Sequence, residues 1–426
     1  MSATSTTGSA ALVAANGRAR RLAEPPQGDL SHAEAQRDRE RRDLWFGEVP
    51  NGWEVKRLAS YFSERKVKVS DKDFPPLSVT KNGILPQLEN VAKTDDGDNR
   101  KLVRKGDFVI NSRSDRKGSS GLSEYDGSVS LINLVLKPRG GLFGAYCNYL
   151  LKSLSFVEEN YRNGRGIVAD LWTTRYDEMK MIKVAMPPLP EQKAIVVYLD
   201  AETERIDKAI AAEEKMIALL QERREIVINE AVTPHDGWEM KPLRSFLCEV
   251  RELSKTGEEL PLSLTANAGI VPFSEKSNRT LENDTYVGTK IVRKGQIVFN
   301  RFRARLFAVS GYDGLVSPDY AVFTVSKDVA AKFLVALFGT SRFKQRLNLL
   351  ASGIGDGFSR VYAGDLLRLK ISLPPLPEQE AIMERLDRET GKIVRAIEVK
   401  RRQIELLRER RQIVIDEVVT GKVKVA

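Results

Sequence analysis

The segment Pro-Pro-Leu-Pro-Glu-Gln occurs twice in the chain, at Pro187–Gln192 and again at Pro374–Gln379. Aligned without a gap from these points to Thr233 and Thr420, about 27 of 47 positions are identical. A shared helical composition would not produce this agreement, whereas an internal repeat would. The chain therefore contains a duplication.

The similarity continues upstream of each copy as short matching segments. Gly52–Glu54 matches Gly237–Glu239, and Val103–Gly106 matches Val292–Gly295. We therefore expect the 426-residue chain to alternate between globular domain and long helix. The predicted segments are a disordered or partly helical extension at 1–48, a first globular domain at 49–186, a helix at 187–233, a second globular domain at 234–373, a helix at 374–421 and a tail at 422–426.

The two helical segments are predicted to be unusually long and to cover each other. Between Glu191 and Thr233 there is no Gly or Pro, and roughly 42 residues at 1.5 Å each would span about 63 Å. Each segment carries one narrow apolar stripe, and two matching stripes favour a coiled coil. Connectivity favours an antiparallel pair, while packing of each helix on its own domain is the alternative. The predicted seam consists of Ile195, Leu199, Ile206, Ile210, Ile217, Leu220, Val227, Ile382, Leu386, Ile393, Ile397, Ile404, Leu407 and Val414.

The charge is distributed unevenly along the chain. Lys and Arg number 68 against 58 Asp and Glu, and each globular domain sums to +6 (23 basic and 17 acidic at 49–186, 20 and 14 at 234–373). Residues 187–233 sum to −4 (6 basic and 10 acidic), and residues 374–426 sum to +2 (12 and 10). Positive charge on both domains favours a polyanionic partner such as nucleic acid.

Composition also excludes several classes of protein. Two Cys and two His are too few for a disulfide framework or a tetrahedral zinc site. No apolar run approaches the roughly 20 residues that cross a bilayer, so a soluble, cytoplasmic protein is expected. The arginine-bearing, acid-free first 23 residues are compatible with a transit peptide, although we favour a solvated tail.

Short β-branched runs, joined by tight turns at Arg104–Asp107 and Arg293–Gln296, are followed by helical stretches near 143–161 and 330–350. This pattern predicts an α+β domain with a curved sheet in each copy. Basic residues concentrate in Gly- and Ser-containing loops, where Arg and Asn can contact base edges while Ser and backbone amides hold phosphates. Any single one of them could equally be a solvated surface residue. The candidate DNA-contacting residues are Lys81, Asn82, Arg113, Arg116, Lys117, Arg162, Arg165, Arg301, Arg303, Arg305, Ser359 and Arg360, with Arg113, Arg301 and Arg360 the strongest individual candidates.

Motifs of catalysis are missing from the sequence. A Gly-x4-Gly-Lys-Ser/Thr phosphate loop is absent, and neither Pro-Pro-Leu segment is preceded by the Asn or Asp of an amino-methyltransferase motif. We therefore expect no catalytic, cofactor-binding or metal site in this chain.

Taken together, these features resemble the specificity (S) subunit of type I restriction-modification systems. The resemblance rests on two dissimilar domains that begin with Gly-Trp, on the strands that follow Gly106 and Gly295, and on the two helices that begin with Pro-Pro-Leu-Pro-Glu-Gln. It covers about residues 49–421. It implies two α/β target-recognition-type domains separated by a pair of long antiparallel helices, a coiled-coil spacer, with a pseudo-two-fold internal repeat.

The resemblance also implies a function and partners. Each domain would recognise one half of a bipartite double-stranded DNA target, and the helices would set the gap and dock two methyltransferase (M) subunits, with restriction (R) subunits joining for cleavage. S-adenosylmethionine, ATP and Mg²⁺ would serve those partners. Two alternatives remain: a nucleic-acid-binding scaffold without sequence preference, and a nuclease that acts alone.

Overall fold

The computed structural model describes residues 44–87, 97–113, 116–166, 172–266, 268–275, 286–302, 306–351 and 360–425. The chain divides into two compact units. The first comprises the residues up to Thr203 together with those from Arg410 onward, and the second comprises Glu204–Glu409. None of the described helices has both the length and the apolar character needed to cross a bilayer.

In its described residues, the first globular domain combines short strands with three α-helices, and one strand follows the helices. Its strands are β1 (Glu54–Arg57), β2 (Phe62–Glu64), β3 (Lys68–Val69), β4 (Leu77–Thr80), β5 (Gly83–Pro86), β6 (Arg100–Val103), β7 (Phe108–Asn111), β8 (Ser120–Leu122), β9 (Gly127–Ser130), β10 (Asn133–Pro138) and β11 (Lys183–Met186). Its helices are α1 (Gly144–Lys152), α2 (Leu154–Arg162) and α3 (Tyr176–Met179), and the first long helix, α4 (Leu189–Ala231), follows.

The second globular domain repeats this order. Its strands are β12 (Glu239–Pro242), β13 (Leu247–Val250), β14 (Leu262–Thr265), β15 (Gly269–Pro272), β16 (Lys290–Val292), β17 (Ile297–Asn300), β18 (Phe307–Val309), β19 (Gly314–Val316), β20 (Tyr320–Val325) and β21 (Lys370–Leu373). Its helices are α5 (Ala331–Gly339), α6 (Ser341–Leu349) and α7 (Ala363–Arg368), and the second long helix, α8 (Leu376–Val419), follows.

Equivalent strands form equivalent sheets in the two domains. The main sheet has the order β2-β10-β7-β8 in the first domain and β13-β20-β17-β18 in the second, with antiparallel neighbours throughout. The first strand of each domain pairs with its last, β1 with β11 and β12 with β21. The turns predicted before β7 and β17 contain Gly106 and Gly295 with φ of 88° and 89°, a conformation that favours glycine.

Each domain has an aromatic core beneath its main sheet. In the first unit Phe62 and Phe108 of the sheet are buried with Tyr146 of α1 and Phe156 of α2. In the second, Phe299 and Phe323 are buried with Phe333 and Phe338 of α5, and Phe299 also stacks on Phe307 with ring centroids 4.2 Å apart. These aromatic side chains fix the helices against the sheets.

The helical stretches predicted near 143–161 and 330–350 are each two helices rather than one. Ser153 and Thr340 adopt extended backbone angles at the break, and their hydroxyls accept hydrogen bonds from the amides of Phe156 and Phe343. A Ser or Thr in this role ends one helix and caps the next. The repeat therefore preserves a helix boundary that hydrophobic periodicity alone does not reveal.

The two long helices contact each other and run antiparallel. In the second unit Glu213 of α4 pairs with Lys400 of α8 at 2.9 Å, and Glu214 pairs with Arg408 at 3.2 Å. Ala231 near the end of α4 belongs to the same apolar core as residues near the beginning of α8. In the first unit the opposite ends meet, since residues at the beginning of α4 and the end of α8 share one core. Seven of the predicted seam residues are buried and the other seven are half-buried.

Candidate nucleic-acid interface

Two arginine-bearing loops of the first domain lie side by side because both pair with Thr173. The backbone of Thr173 forms one bridge to Arg113 and another to Arg165. The Arg165–Thr173 bridge has N···O distances of 2.9 and 3.0 Å, and the Thr174 amide donates to the Ser112 carbonyl at 3.1 Å. Both arginine side chains are exposed. The structure thus joins on one surface two loops that lie about 50 residues apart in sequence.

An aromatic pair supports this surface. The Trp172 indole donates to the Tyr161 carbonyl at 2.8 Å, and the two rings lie 5.9 Å apart. The Lys117 ammonium lies 4.4 Å from the Tyr161 ring centroid, within the range of a cation–π contact. A Cβ at Gly164 would lie 2.4 Å from the Trp172 Nε1 atom, so this position accepts only glycine without rearrangement. The sequence analysis did not identify Trp172, because a single tryptophan in a loop carries no pattern.

Three of the predicted contact residues line one cavity of about 780 Å³ in the first unit. These are Lys81, Asn82 and Lys117, and the cavity also includes Lys152 of α1 and Arg411 of α8. We refer to these five residues as the basic cleft. The Lys152 ammonium donates to the Lys81 carbonyl at 3.1 Å, which ties α1 to the turn between β4 and β5. Clustered cations of this kind suit a phosphate backbone.

The electrostatics of the basic cleft favour an anion. Burial lowers the pKa of Lys152, and the nearby charge of Arg411 lowers it further. A bound phosphate would offset both effects, because its negative charge favours the charged ammonium. Lys117 is already paired with Glu158 at 2.7 Å, so that side of the cleft is partly neutralised. Lys152 and Arg411 were not predicted, because neither lies in a Gly- or Ser-rich loop.

In the second domain Arg301 and Arg360 are brought together by Asp319. The Arg301 guanidinium donates to the Asp319 carbonyl at 2.5 Å, and Arg360 donates to the Asp319 carboxylate at 3.4 Å. Arg360 also lies over the Phe302 ring at 4.6 Å. Both arginines are half-buried, so their planes are held in place rather than solvated. A fixed guanidinium plane is what bidentate recognition of a base edge needs.

The remaining predicted residues are placed as follows. Arg116 and Arg162 are exposed, and Arg162 forms an ion pair with Glu159 at 3.1 Å. The predictions for Arg303, Arg305 and Ser359 lie outside the described residues.

Two lysines that are not among the predicted contact residues, Lys101 and Lys290, make hydrogen bonds within the sheets. Lys101 donates to the Asn133 carbonyl at 2.8 Å, and Lys290, at the equivalent position, donates to the Tyr320 carbonyl at 2.5 Å. Burial lowers the pKa of Lys290. These repeated bonds link β6 to β10 and β16 to β20, so not every basic residue of the domains is available to a ligand.

No cluster of three or more His, Cys, Asp or Glu side chains that could hold a metal ion occurs in the described part of the chain.

The chain is similar in sequence to curated specificity subunits of type I restriction enzymes. Over 89% of this chain and 96% of the relative, the sequence is 24% identical to a protein of Methanocaldococcus jannaschii described as the MjaX type I restriction enzyme specificity subunit. It is 21% identical to the EcoKI specificity subunit of Escherichia coli over 80% of this chain and 82% of that subunit. The family described as type I restriction modification DNA specificity domain matches residues 235–406. The chain therefore resembles the type I restriction-modification specificity subunits over most of its length, and its second repeat matches the family's DNA specificity domain.

Solved structures from type I restriction-modification systems confirm the fold class predicted from the sequence. A chain from a structure of type I R-M complex assembly and conformational transition matches with a TM-score of 0.66 at 16% identity, over 88% of this chain and all of that one. The HsdS subunit from Thermoanaerobacter tengcongensis matches with a TM-score of 0.50 at 16% identity, over 88% and 98%. At this identity the likeness concerns the fold alone.

Proposed function

We propose that this chain is the non-catalytic, DNA-recognising subunit of a type I restriction-modification complex. Each globular domain recognises one half of a bipartite target, and helices α4 and α8 set the gap between the half-sites. The observation that carries the proposal is the duplication. The two domains share one strand order in their main sheets but differ in their loops, and each precedes a long helix that is identical to the other at more than half of its positions. A repeated frame with divergent loops suits two different half-sites.

Recognition divides between phosphate and base contacts. The basic cleft holds the DNA backbone in register, because clustered lysines and arginines bind phosphates without regard to sequence. Base selection falls to the loop side chains, above all Arg113 in the first domain and Arg301 and Arg360 in the second. The proposed contact residues are Lys81, Asn82, Arg113, Arg116, Lys117, Arg162, Arg165, Arg301, Arg303, Arg305, Ser359 and Arg360.

The long helices also offer a repeated surface for partner subunits. Leu219 and Ile226 of α4 are exposed, and so are Leu406 and Ile413, which occupy the equivalent positions of α8. These residues lie outside the predicted seam, one heptad apart on each helix. Because the same apolar pair occurs twice, it suits two copies of one partner, and we assign it to two methyltransferase subunits. Restriction subunits join the assembly for cleavage.

The chemistry of the complex resides in those partners. S-adenosylmethionine, ATP and Mg²⁺ act in the methyltransferase and restriction subunits, while this chain positions them on DNA. The proposed place of action is the cytoplasm, where the target DNA lies.

Methylation mapping tests the proposal most completely. The chain is expressed with its cognate methyltransferase subunit in a host without other modification systems, and methylated adenines are mapped across the genome. We expect one bipartite motif with a fixed gap and one methylated adenine per strand.

Binding to duplexes distinguishes the alternatives. Equal, steeply salt-dependent binding to every duplex would favour a scaffold without sequence preference. Cleavage of duplex DNA by the purified chain with Mg²⁺ alone would favour a nuclease. Either result would refute the proposed function.

A further inference from the structure

The motif that begins each long helix makes the same three hydrogen bonds in both copies. The Trp53 indole donates to the Glu191 carboxylate at 2.9 Å, and the Trp238 indole donates to the Glu378 carboxylate at 3.1 Å. These tryptophans belong to the Gly-Trp pairs at the beginning of the two globular domains. The glutamate of the motif thus connects the first residues of a domain to the first turn of the helix that follows it.

The glutamine of the motif is buried and fully engaged. Gln192 is only 1% exposed, and its Oε1 atom accepts from the Phe143 amide at 2.8 Å. Its Nε2 atom donates to the Pro187 carbonyl at 2.9 Å and, more weakly, to the Gly141 carbonyl at 3.4 Å. Gln379 is likewise 1% exposed. Its Oε1 atom accepts from the Ala330 amide at 2.9 Å, and its Nε2 atom donates to the Pro374 carbonyl at 2.8 Å.

Each glutamine therefore joins three elements. Phe143 and Ala330 are the N-cap residues of α1 and α5, and neither provides a side-chain cap. Pro187 belongs to the turn between β11 and α4, and the equivalent turn links β21 to α8. A buried amide side chain with two backbone partners has one permitted orientation, because any rotation leaves a buried polar group without a partner.

We propose that Gln192 and Gln379 are positioning residues that lock each recognition domain onto its long helix. This proposal rests on the proposed function, because a fixed gap between half-sites requires that each domain keep one orientation on the spacer. If the glutamines had only a local role, substituting them would affect only the beginning of the helix. A locking role would also control how strictly the protein selects the gap.

Hydrogen exchange in the full-length chain tests the contacts by which each glutamine joins its domain to its long helix; we call these contacts the joint. In Gln192→Leu we expect the Phe143 amide to exchange at least tenfold faster while the Ala330 amide is unchanged, and in Gln379→Leu the reverse. Gln192→Glu and Gln379→Glu retain the acceptor and lose the donor, so we expect smaller effects and a folded protein if the leucine variants do not fold. Gln221→Leu, on the exposed surface of α4, is the matched control. Unchanged exchange at both amides would overturn the joint.

Gap selectivity tests the positioning role. Affinities are measured for duplexes that contain both half-sites with the cognate gap and with gaps one base pair shorter and longer. We expect the parent to prefer the cognate gap by at least tenfold, and the Gln192 and Gln379 variants to retain half-site preference while losing most of that gap preference. Parent-like gap preference in variants with fast exchange would overturn the positioning role. If the parent shows no gap preference, the proposed function is refuted instead. The exchange rates of the Phe143 and Ala330 amides would then still test the glutamine contacts independently.

Discussion

The ion pair between Glu213 and Lys400 is expected to determine which helices pair. The two residues occupy equivalent positions of the repeat, 187 residues apart, and their side chains are 24% and 29% exposed. All six positions at 211–216 differ from their counterparts at 398–403, although the flanking segments are largely identical. Two identical copies would bring like charges together at this point, whereas the diverged copies bring opposite charges together.

The size of the effect follows from this geometry. Two like charges about 4 Å apart repel by about 1 kcal/mol in water and about 4 kcal/mol at an effective dielectric constant of about 20. Because Glu213 and Lys400 are partly exposed, we expect each single reversal, Glu213→Lys or Lys400→Glu, to lower the free energy of unfolding by about 2 kcal/mol. The double reversal restores opposite charges and should return to within about 1 kcal/mol of the parent, giving a coupling energy of about 3 kcal/mol.

Urea unfolding of the full chain, followed by circular dichroism, measures this coupling. The same cycle at Glu204 and Lys208 is the matched control, since this pair lies on one helix and is largely exposed. We expect a coupling several times smaller at the control pair, because solvent screens exposed charges. Additive costs for Glu213→Lys and Lys400→Glu, without recovery in the double variant, would refute the reasoning.

Three further predictions concern DNA and partner binding. Lys152→Met should weaken DNA binding and lower by about 1 the slope of log affinity against log salt concentration. Because burial lowers the pKa of Lys152, the substitution should also stabilise the free protein at neutral pH, by an amount that declines as the pH rises through the folded-state pKa. A destabilised variant would contradict this cause. Arg113→Ala and Arg360→Ala should each lose about 1–3 kcal/mol of preference for the cognate duplex over a random one, and parent-like preference in a competition assay would remove both from the interface. Leu219→Asp and Leu406→Asp should each reduce the number of methyltransferase subunits bound, measured by native mass spectrometry, with DNA affinity unchanged; two subunits on both variants would place the docking surface elsewhere.

Sequence patterns were sufficient to predict the architecture because each pattern occurs in both copies of the repeat. The seam residues recur every three to seven positions, and a stripe of this kind needs a partner of the same length. The Gly106 and Gly295 turns were predictable because both interrupt β-branched runs. The helix boundaries at Ser153 and Thr340 were missed, since a hydroxyl side chain within an amphipathic stretch is equally compatible with a solvated surface position.

The candidate site was predictable only in part. Loop arginines such as Arg113 and Arg165 stand out by composition, but their meeting at Thr173 depends on pairing between distant segments. Arg411 lies on a long helix where basic residues are common, so nothing in the sequence links it to Lys81. Burial of a polar residue is a tertiary property and leaves no periodic signal.

Lengthening the paired helices tests the central claim most directly. Seven residues that continue the heptad pattern are inserted after Ile210 and after Ile397, which occupy equivalent positions, so that the apolar seam stays in register. Seven residues add about 10.5 Å of helix, equivalent to roughly three base pairs of B-form DNA. We expect methylation mapping to return the same two half-sites with a gap about three base pairs longer. An unchanged gap would contradict the account, because the helices would then not set the distance between the half-sites.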